Sequence, residues 1–256
     1  MTLGSPNMSD LVCRGISVKY GETLALDCLD LSFSEMSIVG LVGPNGAGKT
    51  TFADVVTGYV RPIEGSCEWH GLSLTALAPH SIARLGISRT FQRPRVINDL
   101  DVVENLLVAF RKEQADSLWR AVMWGRGMKH EQPMRDRARE VLMCLGLEKR
   151  AADLAGQLSF SEKKMLAFGR VLVSDAKMLL LDEPFAGMDE GAKSILARCI
   201  LEQKSGGKIV ILIEHDMGII RSLTDRVAVL SRGRVIREGV PAEVMKGTEI
   251  LDAYAE

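Results

Sequence analysis

No apolar run in the 256-residue sequence approaches the roughly 20 residues needed to cross a membrane. The N-terminus also lacks a basic stretch followed by an apolar core and a small-residue cleavage site. The chain is therefore expected to be cytoplasmic and not itself a channel. An excess of charge of either sign is missing too: 32 Lys+Arg stand against 33 Asp+Glu, for a formal net charge of -1. That excludes a global positive field of the kind that draws a protein onto nucleic acid or an anionic bilayer, leaving room only for a local patch. There are no internal repeats and no low-complexity tracts. Cysteines are few and scattered: Cys13, Cys28, Cys67, Cys144 and Cys199 are odd in number and form no CxxC pair. They are expected to be reduced, mostly buried small apolar residues without a metal or disulfide role. The remaining composition is that of an ordinary soluble globular protein, long enough for one sizeable core or two closely packed subdomains.

What the sequence does contain is a run of small and cationic residues that no packed core would ask for: Gly43, Pro44, Asn45, Gly46, Ala47, Gly48, Lys49, Thr50 and Thr51. It follows "SIVGLV" (37–42), a short apolar, β-branched run of the kind that makes a buried strand. It leads into "KTTFADVVTGY", where Phe52, Val55 and Val56 have helical spacing. Strand, glycine loop and helix form the context that the GxxxxGK[ST] pattern requires for nucleotide binding. The glycines let the backbone curl with its N–H groups toward phosphate oxygens, and the helix adds its positive end. Lys49 supplies a cation for the β and γ phosphates of ATP, and Thr50 offers a hydroxyl to Mg²⁺.

A partner motif comes later, at "KMLLLDEP" (177–184). It reads as a buried parallel strand that pushes Asp182 and Glu183 out at its carboxyl edge, where ligands bind in open α/β sheets. Asp182 would hold Mg²⁺, and Glu183 would orient or deprotonate the attacking water in phosphoryl transfer. Before it, "LSFSEKKMLAFGRVLVSDAK" (158–177) reads as a helix start in which Ser159 and Glu162 form a capping box. Its N-terminus is a second place where phosphate could dock.

"GPNGAGKTT", "RTFQ" (89–92), "LSFSE" (158–162), "LLLDEP" (179–184), "AGMD" (186–189) and "IEHD" (213–216) occur in the order and spacing of an ATP-binding cassette (ABC) transporter ATPase. The resemblance spans nearly the whole chain. More narrowly, "GISRTFQRPRVINDLDVVENLLVA" (86–109), the "IEHDM" segment and the short tail "GVPAEVMKGTEILDAYAE" resemble the branched-chain amino acid importer ATPases, the LivG-like branch. The fold implied is an α/β P-loop NTPase (RecA-like) parallel-sheet core with a small antiparallel β layer and an inserted α-helical subdomain. On matching positions, the resemblance gives Tyr20 a stack on adenine and Gln92 a reach to Mg²⁺ and the attacking water. It gives His215 a contact with the γ phosphate and Asp189 a place across a dimer interface. It implies a head-to-tail dimer, with this chain or with a sister ATPase, in which the helix starting at Ser159 points at the partner's nucleotide. Two integral-membrane permease subunits and, indirectly, a substrate-binding protein are the implied partners, with no nucleic acid, on the cytoplasmic face of the plasma (inner) membrane.

The signature departs from the usual LSGGQ. Phe160 is a common variant in this branch, but Ser161 stands where a second glycine is normal and Glu162 where glutamine is. If that backbone needs a positive φ or a close phosphate approach, serine introduces strain or crowding, and Ser161→Gly would speed ATP hydrolysis. A soluble ABC ATPase acting on nucleic acid or the ribosome is the first alternative; it would show tandem cassettes, a coiled-coil insertion or a basic face. The second is a weakly catalytic regulatory cassette, against which stand Lys49, Asp182, Glu183 and His215. The expected organisation is a single domain. Residues 10–90 and 166–231 form the catalytic core and β layer, 93–165 a helical subdomain, and 232–256 a hairpin end and helix. "CEWHG" (67–71) reads as part of the antiparallel layer, "RVAVLSRGRVIREG" (226–239) as two strands around Arg232 and Gly233, and 117–140 as a Trp-, Met- and Arg-rich stripe that either packs within the helical subdomain or contacts a membrane partner.

Overall fold

The computed structural model describes residues 10–34, 36–110 and 127–246. Two compact units divide the chain: the first takes residues up to Ile87, Lys177–Glu183 and the chain from Gln203 onward, and the second takes Ser88–Ala176 and Pro184–Glu202.

The first unit is built on the strands β1 (Leu11–Tyr20), β2 (Thr23–Phe33), β3 (Ile38–Val42), β4 (Glu64–Trp69), β5 (Leu72–Ser73), β6 (Ile87–Arg89, of which Ile87 belongs to this unit), β7 (Met178–Asp182), β8 (Ile209–Ile213), β9 (Arg226–Ser231) and β10 (Arg234–Gly239). They make a four-stranded antiparallel sheet, β2-β1-β4-β5, and a six-stranded sheet, β10-β9-β3-β8-β7-β6. In β1 the buried apolar positions are Leu11 and Cys13, then Ile16 and Val18, so the inward apolar face shifts by one residue. The register shift between Cys13 and Ile16, at Gly15 with φ 58°, absorbs that change and keeps both halves facing the core. β3, β7 and β8 are buried at every position, as near-continuous apolar strands of a parallel sheet covered on both faces should be. β10 returns antiparallel to β9 through Arg232 (φ 47°) and Gly233 (φ 77°), two left-handed residues in succession, the geometry that matches strand twist in a tight hairpin. The hairpin at 226–239 and the antiparallel layer containing residues 67–71 thus form as expected. Between the two sheets, Phe52 of α1 (Lys49–Val56) meets Phe33 of β2 with ring centroids 6.0 Å apart; each fully buried ring stabilises by about 1.5–3 kcal/mol.

The second unit is helical: α3 (Val102–Leu107), α4 (Gly127–Cys144), α5 (Phe160–Val173) and α6 (Glu190–Ser205, of which Glu190–Glu202 lie here); α2 (Pro79–Arg84) belongs to the first unit. The expected return to the core at residue 166 is corrected, because it would cut α5 in two. A Cβ on Gly169 would stand 2.9 Å from Leu145 Cδ1 and 3.1 Å from Leu106 Cδ2. Glycine therefore lets α3 and α4 close directly onto α5 and holds the whole helix in this unit. Pro184–Glu202, also expected in the core, falls here too, where Ile195 packs against the turn at Gly146. Asn105, fully buried, is satisfied by accepting from Ile97 N at 2.8 Å and donating to the carbonyls of Ile97, Leu100 and Asp101. Of the Trp-, Met- and Arg-rich stripe, residues 117–126 lie outside the described residues, as do 247–256 of the expected C-terminal helix; β10 is followed by α8 (Pro241–Val244). Among the described residues, no helix is long and apolar enough to cross a membrane.

Candidate active site

β3, β8 and β7 lie side by side and parallel, with Leu41 and Asp182 both registered on Ile213, so their three carboxyl ends open at one edge of the sheet. β3 delivers the glycine loop there. The loop's own sequence demands its path: Gly43 has φ 148° and a Cβ on it would lie 2.1 Å from the Leu230 carbonyl oxygen. Gly46, with φ 81°, is different, because a Cβ there would meet nothing within 4 Å; the loop is closed against the sheet and open on its outer side. Gly43→Ala should therefore cost several kcal/mol, on the scale of combined backbone strain and overpacking, read as a large fall in melting temperature. Gly46→Ala carries the backbone strain without the clash and should fall much less.

α1 begins directly after the loop, with left-handed Gly48 (φ 104°) at its N-cap and no side chain capping it. Lys49 folds back so that Nζ donates to the carbonyls of Gly43 at 2.6 Å and Pro44 at 2.8 Å. Only 9% of the residue is exposed. Burial pulls its pKa below the ordinary lysine value, and the carboxylates of Glu183 and Asp182 act in the opposite direction. Thr50 is exposed in the first turn of α1 and Thr51 half-buried beside it.

Asp182 is buried as the last residue of β7. Glu183 follows in the left-handed region, φ 46°, where a non-glycine residue stores on the order of 1 kcal/mol or more of strain. Its N–H is held by the Ile213 carbonyl at 2.9 Å. β8 is followed directly by Glu214 and His215, and Asp216 then caps α7 (Met217–Leu223), its carboxylate accepting from Gly218 N at 2.8 Å and Ile219 N at 3.2 Å. That cap fixes where His215 leaves the strand. The His215 side chain is 62% exposed, with Nδ1 4.0 Å from a Glu183 carboxylate oxygen and 3.8 Å from one of Glu214. Glu214 is 1% exposed and also accepts from His215 N at 3.3 Å. Sequence reasoning quoted Glu214 within "IEHD" but gave it no part; its signal was a carboxylate at the end of an otherwise apolar strand. Tyr20 closes β1 with 51% of its surface open, so it is not the core residue that an aromatic on a strand more commonly is.

The second unit carries the remaining candidates. Gln92 is exposed on the segment after β6, next to Phe91, whose ring is covered by the guanidinium of Arg95 at 3.7 Å. Ser159 caps α5 in a capping box: Glu162 N donates to Ser159 Oγ at 3.2 Å and Ser159 N to Glu162 Oε2 at 2.8 Å. Burial pushes the Glu162 carboxyl up, but the Ser159 N–H and hydroxyl and nearby Arg150 outweigh it and hold the pKa below the ordinary range. Glu162 is thus engaged within its own helix end. Ser161 lies in the first turn of α5 and is absent from the residues with positive φ, so the strain expected of a serine there does not arise. Its hydroxyl instead accepts from Asp189 N at 3.3 Å. The Asp189 carboxylate accepts from Ala192 N at 2.9 Å at the start of α6; that bond first, and then the Ser161 hydroxyl, hold its pKa below the usual value. The Phe160 ring lies over Gly187, 3.0 Å from where a Cβ would stand. Two of the three departures from the usual signature, Phe160 and Ser161, therefore latch onto the 187–189 loop. Ser161→Gly is now expected not to speed ATP hydrolysis and to cost about 0.5–1 kcal/mol in helix stability; a faster variant in steady-state assays would restore the strain explanation.

A glycine loop between a buried strand and a helix, backed by carboxylates at the end of a parallel strand one place removed in the sheet, defines a P-loop nucleoside-triphosphate site. A family model described as ABC transporter matches residues 26–186. The chain is 32% identical over 246 residues to the high-affinity branched-chain amino acid transport ATP-binding protein LivG of Salmonella typhimurium, covering 95% of this chain and 96% of that one. To the probable branched-chain amino acid transport ATP-binding protein LivG of Archaeoglobus fulgidus it is 32% identical over 247 residues, covering 96% and 95%. A nucleotide-free ATP-binding cassette from an ABC transporter matches with TM-score 0.83 at 29% identity, over 96% of this chain and 98% of that one. The ADP conformation of another cassette matches with TM-score 0.82 at 28% identity, over 97% and 99%. The chain belongs to the ABC transporter family, as one of its ATP-binding, ATP-hydrolysing proteins.

Proposed function

We propose that this chain energises the import of branched-chain or related amino acids through separate membrane permeases, working at the cytoplasmic face of the plasma membrane. The observation that carries the catalytic part is the convergence of the glycine loop, Asp182, Glu183 and His215 at one sheet edge, with Glu183 and His215 4.0 Å apart. In this reading the backbone of Gly43–Thr51 and Lys49 hold the β and γ phosphates while Tyr20 stacks on adenine. Glu183 orients the attacking water and takes its proton as the water oxygen bonds the γ phosphorus and ADP leaves; His215 contacts the γ phosphate. Thr50 and Asp182 would offer a hydroxyl and a carboxylate, hard oxygen donors that suit Mg²⁺. The ion, when bound, neutralises charge between the β and γ phosphates.

Ser159 and Ser161 at the start of α5 face the nucleotide of a second ATPase subunit, identical or sister, and Asp189 lies across that interface. ATP favours the closed dimer and ADP does not, and two permease subunits, fed by a binding protein, respond to the difference. The cargo rests on the relatives' names, since no residue of an ATPase subunit touches cargo. It is tested by deleting the gene and measuring uptake of radiolabelled leucine, isoleucine and valine. Loss of uptake, restored by the wild-type gene and not by Glu183→Gln, is expected; unchanged uptake would reject this cargo class.

A further inference from the structure

Outside the nucleotide motifs, three soft or anionic donors converge inside the second unit. Cys144 ends α4, while Cys199 and Glu202 sit one helical turn apart on α6 and so share a face. The two sulfurs are 2.8 Å apart, Cys144 Sγ is 3.5 Å from a Glu202 carboxylate oxygen, and all three donor atoms lie within 4.8 Å of one another. The Cys144 carbonyl oxygen, 3.5 Å from Cys199 Sγ, adds a fourth polar atom at the same spot. Cys199 is buried, Cys144 half-buried and Glu202 exposed, so the cluster is rooted in the helical packing and opens to water on the carboxylate side.

We propose that Cys144, Cys199 and Glu202 bind a thiophilic divalent d¹⁰ cation of the zinc type, with water completing a tetrahedral set. The sequence reading left these cysteines without a metal role, because 55 residues separate them and no CxxC spacing brings them together. Two thiolates and a carboxylate are the ligand types such an ion selects. On binding, each thiol loses its proton to solvent and two S–metal bonds form, with no change of oxidation state. Two thiolates on one tetrahedral ion stand about 3.8 Å apart for bonds of about 2.3 Å, so the sulfurs must separate by about 1 Å. Cys144 can supply that movement, since it is the last residue of its helix and precedes a turn at Gly146, φ 70°. The three bound anions exceed the ion's charge by one, and Arg198, 4.0 Å from Glu202, lies where it offsets the excess. A bound ion would tie the C-terminal end of α4 to α6, giving the second unit a cross-link that its hydrophobic packing alone does not provide.

The test uses the full chain, reduced, stripped with chelator and free of nucleotide, titrated with Co²⁺ as a spectroscopic probe. A thiolate-to-cobalt charge-transfer band saturating at one ion per chain and abolished by competing Zn²⁺ is expected, together with a Zn²⁺-dependent rise in melting temperature. Glu202→Gln, an exposed position that leaves the fold intact, should weaken affinity by at least the roughly tenfold that even an outer-shell partner is worth. Cys199→Ser should abolish the band, and Cys13→Ser, in the other unit, should leave it unchanged. Absence of the band, or its survival in Cys199→Ser, would overturn the proposal. So would a loss of two hydrogen masses in air without metal uptake, which would identify a disulfide-forming dithiol instead.

Discussion

Glu183→Gln is expected to lower the steady-state ATPase rate by about 10²–10⁴-fold, the range that a positioned general base contributes, while MgATP binding stays near wild type. Glutamine keeps the size and the backbone conformation of the residue, including its N–H bond to the Ile213 carbonyl, so the nucleotide site is not disturbed. It cannot take a proton from water beside His215. The variant should therefore accumulate as a nucleotide-bound dimer, seen as a shift in size-exclusion chromatography that requires ATP and is absent with ADP. Unchanged turnover would remove Glu183 from the catalytic role.

Lys49→Ala should act at the other end of the same reaction, on binding. One charge-assisted contact is worth about 1.5–3 kcal/mol, or roughly 10–100-fold in affinity, and the effect should reach the upper end. Lys49 Nζ is placed by two loop carbonyls, at 2.6 and 2.8 Å, and it offsets the charge of Asp182 and Glu183. Without it, those carboxylates face the incoming triphosphate uncompensated, so lost attraction and new repulsion add. Equilibrium binding of a fluorescent ATP analogue measures the change. A variant that binds within twofold of wild type would show that the backbone N–H groups suffice and that the lysine side chain is incidental.

Much of this architecture was legible because it is local. Strand, glycine loop and helix at 37–56 announce themselves through a switch from an apolar run to glycines and then to helical spacing, and the capping box at Ser159 and Glu162 is complete within four residues. The hairpin at Arg232 and Gly233 is likewise a short-range signal. What escaped depends on distant contacts. A boundary at residue 166 overlooks Gly169, which reads locally as a weak helix residue, whereas its role is to admit Leu106 of α3 and Leu145 just after α4. Ser161 stands where the family carries glycine, and only the fold reveals that its backbone is ordinary and its hydroxyl holds the Asp189 N–H. The convergence of Cys144 with Cys199 carries no signal in spacing at all. Glu214 and Glu183 fall between these cases: their positions at strand ends are visible in the sequence, but the burial of one and the left-handed backbone of the other are products of the sheet edge.

The central claim is that this ATPase works on membrane permeases. Its most direct test is to tag the chain in its native host, extract it in mild detergent, and identify the stoichiometric co-purifying chains by mass spectrometry. Two polytopic membrane proteins accompanied by an ATPase subunit, either a second copy or a sister chain, are the predicted result. Recovery of the protein only from the soluble fraction, with nucleic acid or ribosomes, would contradict the account while leaving its ATP site intact.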